Sequence, residues 1–214
     1  MTRELFDLSQ YRSILCLNGA LPDAAFFNQW SLPIIAADGA ANQLDALGIT
    51  PQIIIGDLDS VDASIRSQNK TLYCPEQNTN DYQKSLSYLQ EQGLLPTIVV
   101  GIHDGYLDHV LNNISIFMDS NNLLLAHPIM GSVINADVEF AVPLNTKISL
   151  LGMPSAVISS QGLKWELSKN QLSFPGVNSC FNRSNEPVVR LMVHEGSVLV
   201  MVYLVPKIDA GGQD

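Results

Sequence analysis

The chain has 214 residues, 46% of them apolar, and a formal net charge of −10. That is enough chain to bury a core in one large domain or two small ones, and too acidic to favour a phosphate backbone, which argues against nucleic acid as a partner. No apolar run approaches the ~20 residues a membrane helix needs, and the opening MTRELFDLSQYRSILCL mixes acids and bases too closely for a secretory signal, so a soluble protein of the cytoplasm, with no membrane partner, is expected. Cys16, Cys74 and Cys180 show no C-x-x-C spacing, which argues against a disulfide framework or a zinc knot.

Up to about residue 127 short apolar runs alternate with helical patterns. The runs are Ile14–Leu17, Ile34–Ala37, Ile53–Ile55, Thr71–Cys74, Thr97–Val100 and Asn122–Ala126. Asp81–Gln92 carries Tyr82, Leu86 and Leu89 on one helical stripe. Asp108–Met118 carries Val110, Leu111, Ile114, Phe117 and Met118 on another. This alternation predicts a parallel sheet covered by helices. After His127 the helical patterns stop. Short strand-like runs follow at Lys147–Leu151, Ala156–Ser159, Leu163–Leu167, Val188–Val193 and Val198–Val205. Turn chemistry in GMPS, SKNQ, FPGVNS and HEGS separates them. The expected fold class is therefore α/β over residues 1–127, followed by an all-β sandwich or barrel over residues 128–214, with a frayed tail at DAGGQD.

Ligands bind outside the carboxyl ends of the strands in an open parallel sheet. At those ends stand Asn18-Gly19, Asp38-Gly39, the Asp57 and Asp59 of GDLDS, the Asp81 and Lys84 of NTNDYQK, and the Asp104, Asp108 and His109 of GIHDGYLDH. Each acid alone fits a helix cap, a turn or a first helical turn. The recurrence at one edge is harder to explain that way. Like charges ~4 Å apart cost roughly 4 kcal/mol at an effective dielectric of 20, and a divalent cation relieves that cost. Asp57 and Asp59 are therefore expected to hold a metal, with Mg²⁺ suited to several oxygen ligands shared with phosphate. Lys84 is either an ordinary surface partner of Asp81 or a cation aimed at phosphate. No Walker loop, G-x-G-x-x-G or G-x-S-x-G is present.

In order along the chain, AADGAANQL, GDLDS, NTNDYQKSL, GYLDHVLNNI, GLKWEL and RSNE resemble the motifs of the thiamine pyrophosphokinase family. The resemblance implies a Rossmann-like N-terminal domain that binds ATP and Mg²⁺, a C-terminal β-sandwich that binds thiamine and forms a homodimer, and pyrophosphoryl transfer from ATP to thiamine with release of AMP. It implies that Asp57, Asp59 and Asp81 hold Mg²⁺ and, with Lys84, carry the chemistry. Asn18, Asp38, Lys84 and Asp108 would line the ATP pocket. Gln77 and Thr79 would approach thiamine or the transferred phosphate. Trp165, Ser184 and Asn185 would bind the thiamine rings from the partner subunit. The chain departs from the family pattern at Tyr106, where an arginine is usual, at Asn80, where threonine is common, and at Asn182 and Arg183, which stand in place of small hydroxyl residues. Other readings are a pyrophosphokinase for another acceptor such as a pterin, a nucleotide-sugar transferase, and a thiamine-binding protein with weakened catalysis.

Overall fold

A computed structural model describes residues 3–204, and the fold is mixed α/β. The tail DAGGQD and Val205, the end of the last strand-like run, lie outside the described residues. The chain divides into two compact units, one of Phe6–Ala126 and one that joins the N-terminal residues up to Leu5 to the chain from His127 onward. Among the described residues no helix is long and apolar enough to cross a membrane.

The first strand, β1 (Arg3–Glu4), belongs to the second unit. The first unit then runs β2 (Ser13–Cys16), α1 (Ala24–Asn28), β3 (Ile34–Ala37), α2 (Ala40–Ala46), β4 (Ile53–Gly56), α3 (Ala63–Gln68), β5 (Thr71–Tyr73), α4 (Asp81–Glu91), β6 (Thr97–Val100), α5 (Leu107–Phe117) and β7 (Leu123–Ala126). Its six strands are all parallel, in the order β7-β6-β2-β3-β4-β5. Strands β2, β4 and β6 are buried at every position, which is why they read as unbroken apolar runs rather than alternations. Each fully buried isoleucine or leucine there contributes roughly 1.5–3 kcal/mol. Helix α4 buries Tyr82, Ser85 and Leu89, close to the expected stripe. Its start is fixed by a capping box: Asn80 Oδ1 accepts from the Gln83 amide at 2.9 Å, and the Asn80 amide donates to Gln83 Oε1 at 3.2 Å. Asparagine therefore does here what a threonine cap would do.

Sheet order reverses beside β2, whose neighbours are β3 and β6. Such a switch point usually leaves a crevice. Here the turns after β2 and β6 are joined by backbone bonds, Gly19 N–H to Gly101 O at 2.9 Å and Ala20 N–H to His103 O at 2.8 Å. A Cβ on Gly19 would lie 2.0 Å from the His103 carbonyl oxygen, so only glycine permits this approach.

The second unit is antiparallel apart from β1, which pairs parallel with β9. Its further strands are β8 (Ile129–Ile134), β9 (Val138–Ala141), β10 (Lys147–Gln161), β11 (Asn170–Ser173), β12 (Ser179–Arg183) and β13 (Val188–Tyr203). β13 pairs β10 along its length, and on its other side pairs β9 and then β8. Two expected turns, GMPS and HEGS, lie inside β10 and β13. The β10–β13 register shifts between Gly152 and Ala156 and again between Val157 and Ile158. Bulges thus bend two long strands where four short ones were expected.

The expected strand Leu163–Leu167 does not form. The Glu166 carboxylate accepts from the Gly162 and Leu163 amides, at 2.7 and 3.0 Å, and from the Ser160 hydroxyl. These local bonds take up backbone groups a ladder would use. The segment keeps a single bridge, Leu163 to Ser184. Within it Leu163 is buried while Trp165 is 56% exposed.

Candidate active site

Three aspartates meet at the carboxyl ends of β3 and β4. Asp38, Asp57 and Asp59 each offer a carboxylate oxygen, and these oxygens all lie within 4.8 Å of one another. The backbone is bent to bring them there. Asp38 follows β3 with φ 43°, and Leu58 takes φ 61° between the other two. Left-handed conformations cost a non-glycine residue of order 1–3 kcal/mol. Burial of the Leu58 side chain offsets part of this and leaves Asp57 part-exposed and Asp59 exposed. The loop that follows is tied down by Asn42, whose side chain donates to Ser60 O at 2.9 Å and accepts from the Asp62 amide at 3.0 Å.

Asp38 is the buried member, and its Oδ1 is buried with no hydrogen-bond partner. Burial raises its pKa, and the charges of Asp81, Asp57 and Asp59 raise it further against a bond from Ser60. Asp57 is held below the usual range, chiefly by the Gln77 side chain, which donates to Oδ2 at 3.0 Å. Gly56 lies against the group: a Cβ there would come 2.9 Å from Asp38 Cβ and 3.1 Å from Asp81 Oδ1.

Asp81, expected as a metal ligand, stands outside the three-oxygen cluster. Its Oδ1 accepts from Lys84 Nζ at 3.0 Å in a part-buried ion pair one turn into α4. Asp38, expected to line the nucleotide pocket, takes the third place in the cluster. Asp57, Gln77, Thr79, Asp81 and Lys84 together line a cleft of about 430 Å³, to which Asn112 of α5 also contributes. Asn18 is exposed beside Gly39 and accepts from Gln43 Nε2 at 3.1 Å. Asp108 is exposed in the first turn of α5, where it accepts from the His109 amide at 2.9 Å. Tyr106 is the N-cap of α5, is 81% exposed and makes no side-chain capping bond. Asn42, Gly56 and Asn112 are the positions that sequence reasoning passed over. For Gly56 the signal was available, as a glycine between a buried strand and an acid pair.

The chemistry of this donor set suits a hard divalent cation. Three carboxylates converge, one of them carries an orphaned buried oxygen, and the nearby Lys84 is already committed to Asp81. Mg²⁺ at a hundred times its dissociation constant should stabilise the folded chain by about 2.7 kcal/mol. Thermal unfolding with and without Mg²⁺ measures this, and Asp38→Asn should remove most of the difference.

In the second unit, Trp165 and Asn185 are exposed, whereas Ser184 is buried. The Ser184 hydroxyl donates to Pro143 O at 2.7 Å and accepts from the Thr146 amide at 2.9 Å. Asn182, buried beside it, clamps Trp165 from both sides: Oδ1 accepts from the Trp165 amide at 3.2 Å and Nδ2 donates to the Trp165 carbonyl at 2.7 Å. Ser184→Ala is expected to cost about 1–3 kcal/mol of stability, seen as a lower denaturant midpoint.

Comparison with known proteins bears on this site. A family model described as the thiamin pyrophosphokinase catalytic domain matches residues 26–125, which include every residue of the acidic cluster. Thiamin pyrophosphokinase 1 of Caenorhabditis elegans is 29% identical over 170 residues, covering 69% of this chain and 70% of its own. Thiamine pyrophosphokinase 1 of Arabidopsis thaliana is 25% identical over 217 residues, covering 84% and 80%. Among solved structures, yeast thiamin pyrophosphokinase superposes with a TM-score of 0.80 at 16% identity, over 93% of this chain and 88% of that one. The structural likeness speaks for the fold alone.

Proposed function

We propose that the chain is a member of the thiamin pyrophosphokinase family, whose catalytic-domain model it matches over residues 26–125, and that it transfers a pyrophosphoryl group from ATP to the hydroxyl of thiamine, giving thiamine diphosphate and AMP. The observation that carries the reading is the convergence of Asp38, Asp57 and Asp59 at adjacent strand ends. The first unit is read as a Rossmann-like domain for ATP and metal. The second is read as a β-sandwich that supplies the thiamine platform and pairs with a second copy in a homodimer.

The thiamine hydroxyl oxygen attacks the β-phosphorus of ATP. The bond from that phosphorus to the α,β-bridging oxygen breaks, and AMP leaves with the electron pair. Such transfers need positioning and charge neutralisation more than covalent help. Asp38, Asp57 and Asp59 would hold Mg²⁺, which when bound neutralises phosphate oxygens. Gln77 fixes the orientation of Asp57. Lys84 presents its ammonium at the cleft and can turn from Asp81 to a phosphate oxygen. The Asp81 carboxylate, released when Lys84 turns away, would take the hydroxyl proton. Gln77 and Thr79, on the cleft wall, would contact the entering thiamine, and Trp165 and Asn185 would hold its rings from the second copy of the homodimer. Ser184 supports that platform from beneath.

Incubation of the full chain with ATP, Mg²⁺ and thiamine should yield AMP and thiamine diphosphate in equal amounts. Thiamine binding without AMP at any Mg²⁺ concentration would overturn the reading, and AMP formed only with a pterin would move the acceptor.

A further inference from the structure

Trp165 is a large aromatic surface left in the open, and one of its faces is already taken. The Lys164 ammonium stands over the indole at 4.8 Å from the ring centroid. The backbone beneath the pair is fixed by a set of bonds that leaves little freedom. The Lys164 amide donates to Arg183 O at 2.7 Å, Asn182 holds both sides of Trp165, and Glu166 gathers the Gly162 and Leu163 amides. With the main chain clamped, the movable part is the exposed Lys164 side chain. A thiazolium ring carries a fixed positive charge and seeks the same electron-rich face that the ammonium covers.

We propose that Lys164 is an internal competitor for the thiamine platform. Its ammonium occupies the indole face of the free protein and must swing aside before a cationic ring can stack there. Lys164 thereby sets the affinity for thiamine without contributing a favourable contact to it. This rests on the assignment of Trp165 to thiamine in the proposed function. A lysine over an exposed aromatic also shields apolar surface with its stem, and Lys147 over Phe181, at 5.3 Å, is such a pair on the same unit. It serves as the control.

Calorimetric titration of the full chain with thiamine tests the proposal. An exposed cation–aromatic contact corresponds to roughly a two- to fivefold change in affinity. Lys164→Gln should tighten thiamine binding by that factor, and Lys147→Gln should leave it unchanged. In a Trp165→Leu background the gain from Lys164→Gln should disappear. An unchanged or weaker affinity in Lys164→Gln overturns the proposal. So does an equal gain in Lys147→Gln, or a gain that survives in Trp165→Leu, because either outcome reduces the effect to net charge. If Trp165→Leu alone leaves thiamine affinity intact, the platform assignment fails and takes this proposal with it. The reading of the acidic cleft is judged separately by Mg²⁺-dependent AMP formation.

Discussion

Asp59→Asn should lower AMP formation by roughly a hundred- to a thousandfold, the scale on which loss of one preorganised electrostatic group acts, while the folded chain becomes no less stable. The two effects separate because of where Asp59 sits. It is exposed, and its carboxylate accepts from the Ser60 hydroxyl at 2.9 Å. Surface substitutions of that kind usually change stability by no more than about 0.5 kcal/mol. Its carboxylate is, however, one of three oxygens drawn together within 4.8 Å, and an amide offers a neutral ligand in place of a charged one. Removing one of three crowded negative charges also relieves repulsion in the metal-free chain. Paired measurements of AMP release and thermal unfolding check both halves. A large loss of stability in Asp59→Asn would mean that the residue holds the fold rather than the ion.

Gly56→Ala should damage fold and site together. The added methyl would stand 2.9 Å from Asp38 Cβ and 3.1 Å from Asp81 Oδ1, at a residue whose φ is 155°. Asp38 has nowhere to retreat, since it is buried and its amide is held to Ile55 O at 2.8 Å. Overpacking of this sort costs about 1–3 kcal/mol. Any relaxation moves Asp38 away from Asp57 and Asp59, so Mg²⁺ should no longer raise the unfolding temperature and AMP formation should fall with it. Gly48→Ala provides the contrast: that glycine has φ 71° but open space around its missing Cβ, so the substitution should strain the backbone locally and leave the Mg²⁺ response intact.

The parallel strands were legible because burial on both faces turns each into a short apolar run, and their ends came within a residue or two of the structure. The long helices were legible from their periodicity, although of the stripe expected on α5 only Phe117 is buried and Leu111 is exposed. Helices α1, α2 and α3 were not, since five to seven residues are too few to show a period. In the second unit the turn residues of GMPS and HEGS misled. Glycine and proline mark a bulge as readily as a turn, and the choice between them is made by the partner strand. The Leu163–Leu167 alternation failed for another local reason, the Glu166 side chain competing for backbone amides. Within the site, the edge of the sheet that gathers the acids followed from strand topology. Which three acids share one space did not, because that depends on the left-handed turns at Asp38 and Leu58, and neither is glycine.

The stitching of Gly19 to Gly101 and of Ala20 to His103 gives the sheet edge a handedness of approach. At the switch point, where a sheet of this order ordinarily admits a cofactor, main chain of one turn is bonded to main chain of the other. Traffic is thereby displaced toward the flank built by β3, β4 and the start of α4. A visitor entering there meets the carboxylates of Asp38, Asp57 and Asp59, so a bare polyanion is expected to bind more weakly than one that carries a divalent counterion.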